Sequence, residues 1–258
     1  MHGLNMLDYG ARHIDMADPQ WRTIDPLAEK YYSISPYAYC LNNPIKYVDR
    51  DGREARISKG TGDFQKRTFN DLQKLTRQKL LLLKNGKVVN ASKYKGKESN
   101  ILLSGEEAKP VYVKDAKGRQ VDVNSKEYGT QLVDDVISHR EVITISEATS
   151  SEKNEIGVET LNLSYDPDSE NNGVLNEDGS YGIDAFITLG HELIHGRKIQ
   201  NKTRLSTEDW IRDPDSPDNW SSRMSKEEYD TRKKENYIRK ENGKKPRYIP
   251  KPPQERDR

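Results

Sequence analysis

Apolar residues in this chain fall in short clusters between long polar stretches, and two of the clusters carry a helical period. In "DFQKRTFNDLQKLTRQKLLLLK", Phe64, Thr68, Phe69, Leu72, Leu75 and Leu83 recur at roughly helical spacing. They predict an amphipathic helix, ended by Asn85-Gly86, whose stripe is core packing. In "DAFITLGHELIHGRK", Phe186, Leu189, Leu193 and Ile194 make a second stripe, predicting a helix capped by Asp184 and buried against a sheet. Between the two lie strand-like pieces, "KVVN", "NILL" and "VYVKD", then a helix around "YGTQLVDDVISHR" and strands in "EVITISEA" and "ETLNLSYD". A long loop, "PDSENNGVLNEDGSYG", leads into the second striped helix, and no repeat of fixed period is present.

The two ends differ in texture from this middle. Residues 1–53 interleave aromatics with Asp-Pro, Asn-Asn-Pro and Asp-Gly turns, a pattern of short β segments. From Thr231 to Arg258, eleven Lys or Arg stand against four Asp or Glu, with prolines at 246, 250, 252 and 253. Helix and turn are expected to about Arg247, and a disordered tail over 249–258. Without interleaved stacking aromatics this basic segment reads as solvated, not as a nucleic-acid surface.

Composition narrows the classes. The 258 residues suffice for one or two domains, but 32% hydrophobic against 33% charged means that flexible polar stretches accompany any core. Lys plus Arg (43) nearly cancel Asp plus Glu (42), which removes a general attraction to nucleic acid or an anionic membrane. The single cysteine, Cys40, supplies neither an internal disulfide nor a thiolate cluster, so a zinc ion needs histidine and carboxylate ligands. "MHGLNMLDYGARHIDMADPQ" lacks the apolar region of a secretory signal, and Leu80 to Leu83 is too short to span a bilayer. The chain therefore reads as soluble, without membrane insertion, and any export uses something other than a cleavable signal.

The candidate chemistry lies in the second striped helix. His191 and His195 are four residues apart, so both imidazoles project from one face, a turn apart, as gripping one tetrahedral ion requires. Glu192 points to a neighbouring sector, where it can act as the base toward a water without being a ligand. A catalytic zinc ion needs a third protein ligand. A histidine six residues past His195 fails, because Asn201 stands there and Lys198 replaces the expected glycine; His139 could reach the site only through folding. A carboxylate on a downstream helix remains, with Glu227, Glu228 and Glu235 as candidates. Tyr237, Arg239, Arg247 and Tyr248 are candidates for stabilising an oxyanion. Asp166, Asp168, Glu170 and Glu177 occupy calcium-loop positions, but Asn171 stands where such a loop needs glycine, and we read a plain polar loop.

Two resemblances can be stated on these residues. "YGAR" followed by "WRTIDPLAEKYYSISPYAYCLNNPIKYVDRDG" resembles the closing segment of the Rhs (YD-repeat) core, in the style found in Bacteroidetes. The match covers about 45 residues and a dozen turn and aromatic positions. In that family the core is a large β shell, and a variable C-terminal toxin follows the final Asp-Pro-x-Gly, often released by self-cleavage. The junction here reads Asp49-Arg50-Asp51-Gly52, with Arg50 in the place of proline, and nearly all of the shell is missing. Further on, "GHELIHG" with "EEYDTRKKENYIRKENGKKPRY" resembles the effector metallopeptidases of family M91, loosely over 64–250 and in motifs over 182–248. That family has H-E-L-x-H, then E-E-x-x-T, then E-N-x-x-R-x-E-x-G ending in Arg and Tyr. The corresponding residues are Glu227 to Thr231, Glu235 to Gly243, and Arg247-Tyr248, with Asn242 and Lys244-Lys245-Pro246 departing from the pattern.

These resemblances imply an Rhs core remnant over 1–53, a linker over 54–63 and a zincin-like metallopeptidase domain over 64–248. The expected fold is α+β: a small antiparallel or mixed sheet, the active-site helix behind its edge strand, and a second helix carrying the third ligand. The expected cofactor is Zn2+, held by His191, His195 and Glu228, with Glu235 and Glu227 as alternatives. Glu192 is the expected catalytic residue. The expected function is a secreted or delivered endopeptidase toxin that hydrolyses proteins in a target-cell cytoplasm and is countered by an immunity protein. The alternatives are an Rhs-associated nuclease toxin, or a non-catalytic remnant of a truncated Rhs gene.

Overall fold

The computed structural model describes residues 6–8, 13–15, 18–21, 55–114, 117–122, 124–148, 154–169, 173–212 and 223–251. The chain divides into two units, Met1–Gly52 and Arg53–Arg258. In the first, β1 (Met6–Asp8), β2 (His13–Asp15) and β3 (Asp18–Trp21) form an antiparallel sheet in chain order, as its turn-rich texture leads one to expect. Cys40, Arg50 and most of the Rhs-like segment lie outside the described residues.

The described part of the second unit is mixed, with four helices and several small sheets, compatible with α+β. Its four-stranded sheet has the order β11-β12-β10-β4, formed by β4 (Arg56–Ile57), β10 (Thr144–Glu147), β11 (Glu155–Ile156) and β12 (Asn162–Tyr165). β10 runs parallel to both β4 and β12, whereas β11, at the edge, is antiparallel to β12. The register Ile57↔Ile145↔Leu163 lines three buried apolar side chains across the sheet. This corrects the expectation of a linker over 54–63. Ala55 and Ile57 are core residues, because β4 pairs with a strand almost ninety positions away, which no local composition announces.

A second correction concerns the first striped segment. Helix α1 runs only over Phe64–Leu75. Thr76 turns extended, and the Gln73 side chain fixes the exit, donating to Gln78 O at 2.9 Å and accepting from Leu80 N–H at 3.0 Å. Leu80–Leu83 is then strand β5, buried along its length between β6 (Val88–Asn90) and β7 (Ile101–Ser104). Four successive leucines have no period, and burial on both faces suits a central strand better than one helical stripe. Asn85-Gly86 becomes a hairpin turn, with Gly86 at φ +84, a conformation open to glycine at little cost. Its carbonyl accepts from Ile57 N–H at 2.8 Å and so docks this sheet on β4.

A small hairpin, β8 (Tyr112–Lys114) and β9 (Gln120–Asp122), precedes helix α2 (Glu127–Ser138). Helix α3 (Ala185–Gln200) is central, packing against α1, α2, α4 (Lys226–Glu241) and the edge strand β11. The hairpin of β13 (Asp209–Arg212) and β14 (Arg223–Ser225) leads into α4. Phe186, Leu189, Leu193 and Ile194 are buried, but so are Thr188, His191, Glu192, Lys198 and Gln200 on the other sides of α3. The expected single stripe against a sheet is replaced by a helix enclosed largely by other helices. Asp184 stands at the N-cap without capping through its side chain, which pairs instead with Lys244 at 3.0 Å.

A long-range contact at one end and a local cap at the other fix α4. The Glu241 carboxylate, at its C-terminal end, accepts from Tyr128 N–H (2.6 Å) and Gly129 N–H (3.0 Å), satisfying free donors in the first turn of α2. At its start, Ser225 accepts from Glu228 N–H at 3.1 Å, an N-cap that leaves the Glu228 side chain free to turn inward.

Candidate metal centre

Helix periodicity sets the phase of the site. On α3, residues 191 and 195 share a face, and on α4, residues 228, 231, 232, 235 and 239 share another. Packing the two helices brings the faces together. Glu228 Oε2 lies 3.3 Å from His191 Nε2 and 3.2 Å from His195 Nε2. Ligand atoms of these three residues all fall within 4.8 Å of one another, so His191, His195 and Glu228 form a group that could hold a metal ion.

The far side of each imidazole is also taken. His191 Nδ1 bonds Glu235 Oε2 at 2.8 Å, and His195 Nδ1 bonds Glu227 Oε1 at 3.0 Å. A carboxylate only accepts, so each Nδ1 carries its hydrogen, and each ring is turned to present Nε2 to Glu228. The structure therefore separates the three glutamates: Glu228 joins the histidines at the centre, while Glu227 and Glu235 stand behind them.

Buried cations hold the two backing carboxylates. Glu235, wholly buried, accepts from Arg239 Nε at 2.5 Å and from Arg247 Nη1 at 2.8 Å. Glu227 accepts from Lys198 Nζ at 3.1 Å and from Leu205 N–H at 2.8 Å. Lys198, three residues past His195, is itself buried and also reaches Thr231 Oγ1 (2.8 Å) and Asp230 (2.8 Å). These contacts decide the electrostatics. Burial opposes the charge on Glu235, but Arg247, His191 and Arg239 outweigh it and hold the carboxyl far below its usual range. Burial likewise opposes ionisation of Glu227, yet His195, Leu205 and Lys198 bring it down to about 2.

At the centre itself, burial works against a charge on His191, but Glu228 and Glu235 overcome it and push the imidazole up to about 10. His195 is raised in the same way by Glu227 and Glu228 against its burial. Glu228, though buried, is held well below the carboxylate range by His191, His195 and Arg232. Glu228 Oε2 stands where the two Nε2 atoms converge, the point at which a divalent cation could be held.

A cleft of about 610 Å³ opens beside this group, lined among others by His191, His195, Glu228, Glu192, Ile156 and Arg232. Glu192 Oε2 accepts from Ile156 N–H of β11 at 3.1 Å. Burial raises its carboxyl above the ordinary value, against the pull of His191 and His195. Arg232 Nε donates to Glu228 Oε1 at 2.5 Å.

Several sequence expectations change here. Arg239 and Arg247 are buried around Glu235, while Tyr237 and Tyr248 are exposed, and none of the four lines the cleft. The arginines that do line it are Arg204 and Arg232. The basic segment expected to be solvated places Arg232, Arg239 and Arg247 in the interior. His139 stays apart, its Nδ1 accepting from Glu141 N–H. In the acidic loop Asp168 pairs with Arg67, while Glu170 and Asn171 lie outside the described residues, as do residues 252–258 of the tail. Lys198 and Arg232 were missed, although Ser225 three positions before Glu228 is a capping signal that fixes the phase of α4 and places 228, 232 and 235 on one face.

Among the described residues no helix is long and apolar enough to cross a membrane. No family model, curated protein or solved structure matches this chain, and the resemblances of its motifs stand on the residues themselves.

Proposed function

We propose that the second unit is a zinc-dependent endopeptidase of zincin-like architecture. The observation that carries this reading is the convergence of His191 Nε2, His195 Nε2 and Glu228 Oε2 beside the buried carboxylate of Glu192 in one cleft. The donor set fits zinc: two imidazole nitrogens and one carboxylate oxygen, with an open side, are the composition of a catalytic rather than a structural site. Zinc bound there would supply Lewis acidity toward a peptide carbonyl and toward water. Glu235 and Glu227 keep the two rings oriented through Nδ1. Glu192, its carboxyl raised by burial, takes the proton of the attacking water and passes it to the leaving amine. β11 is an outer strand that borders the cleft, so an extended peptide can lie along it.

We further read the activity as that of a secreted or delivered toxin at the end of an Rhs protein. Proteins of the target-cell cytoplasm would be its substrates, and an immunity protein its partner. This part is supported by the Rhs-like residues Tyr9 to Gly52 standing ahead of the H-E-x-x-H helix, the order that delivery requires. The test is metal analysis of the purified chain together with Glu192→Gln. The variant should retain zinc while toxicity and peptide cleavage fall about 10²–10⁴-fold. A chain that binds no zinc, and whose Glu192→Gln form stays as toxic as the parent, sinks the reading.

A further inference from the structure

The two oxygens of Glu228 do different things. Oε2 faces both histidines, at 3.3 and 3.2 Å, whereas Oε1 accepts from Arg232 Nε at 2.5 Å. The two residues are four apart on α4, and the Arg232 side chain, only 5% exposed, borders the same cleft. On an exposed helix such a pair is loose and contributes little. Here the guanidinium is packed in place, and a charge-assisted bond of this length competes with anything else that would claim Oε1. A free carboxylate can offer a cation both oxygens, and the second would occupy the position that a substrate or water needs.

We infer that Arg232 holds Glu228 as a one-oxygen ligand, so that an ion bound by His191, His195 and Glu228 keeps an open position toward the cleft. Arg232 is thus a positioning residue that acts through Glu228. The inference rests on the metal reading above and adds to it a coordination number that this one side chain sets.

The test uses the full chain loaded with cobalt(II), whose visible absorption is intense in four-coordinate sites and weak in five- or six-coordinate ones. Three protein ligands and one water should give the parent the intense spectrum. Arg232→Met, which fills the space but frees Oε1, should lower the molar absorbance about two-fold or more at full loading. Arg232→Lys, which restores a donor, should recover most of it. An unchanged spectrum in Arg232→Met, or a parent spectrum that is already weak, overturns the inference while leaving the metal site standing. A parent that takes up no cobalt or zinc overturns the metal reading itself. If circular dichroism shows that Arg232→Met does not fold, Arg232→Leu, which also lacks a donor, decides by the same absorbance criterion.

Discussion

Replacing Glu235 by glutamine removes one charge from a sealed network while leaving its volume almost unchanged. Glu235 has no exposed surface and accepts from Arg239, Arg247 and His191 within 2.5–2.8 Å. The substitution leaves two buried guanidinium groups without this carboxylate. Breaking a buried pair by removing one partner costs about 3–5 kcal/mol, and because glutamine retains an acceptor oxygen we expect the lower part of that range. With a urea dependence of about 2–3 kcal/mol per M, the unfolding midpoint of the metal-free chain should fall by about 1–2 M. Zinc affinity should fall separately, by about 10–100-fold, since a neutral amide orients the His191 ring less firmly than the carboxylate does. Urea titration in the presence of a chelator measures the first effect, and a zinc competition assay the second. Adding Arg247→Gln should recover part of the loss, because one of the two cations that faced the Glu235 carboxylate is then removed. A midpoint within about 0.3 M of the parent, with zinc affinity unchanged, refutes the reasoning that this network is both buried and coupled to the histidine.

Two further outcomes follow from the geometry. Metal-free stability should peak in mildly acidic solution. His191, raised from 6.5 to about 10, stabilises the fold fully below 6.5 and loses that contribution as pH rises through 10. Glu227, lowered from 4.5 to about 2, contributes above 4.5 and loses its share as pH falls through 2. Thermal melts across this range in chelator should show both limbs, and a flat profile above pH 7 contradicts the charged state assigned to His191. Gly129→Ala should destabilise by about 1–3 kcal/mol despite the better helix propensity of alanine, because the added methyl would stand 2.1 Å from the Leu75 carbonyl oxygen. A gain in stability contradicts the close approach of α1 and α2 at that point.

The legible parts of this site are those that one helix encodes by itself. His191 and His195 could be placed on a common face because four residues make about one turn, and that geometry is the same wherever the helix sits. The strand pieces "KVVN", "NILL" and "VYVKD" and the segments around Thr144–Glu147 and Asn162–Tyr165 were readable for the same local reason, from β-branched residues between turn signals. Leu80–Leu83 was misread because an unbroken apolar run has no period to reveal whether it coils or extends. Ala55 and Ile57 look like linker because their burial depends on a parallel strand far along the chain.

What the sequence determined by itself was the pair of histidines, the glutamate beside them and the short list of downstream glutamates that could join them. Only the tertiary structure sorted that list. Glu227, Glu228 and Glu235 are chemically identical side chains on one helix, and their roles diverge solely through the way α4 lies across α3. That packing turns Glu228 toward both Nε2 atoms and sets Glu227 and Glu235 behind the rings. It also buries Lys198, Arg239 and Arg247 where their charges keep those carboxylates ionised. Distances of three ångströms between residues more than thirty positions apart are fixed by helix crossing, and no local pattern of residues carries that information.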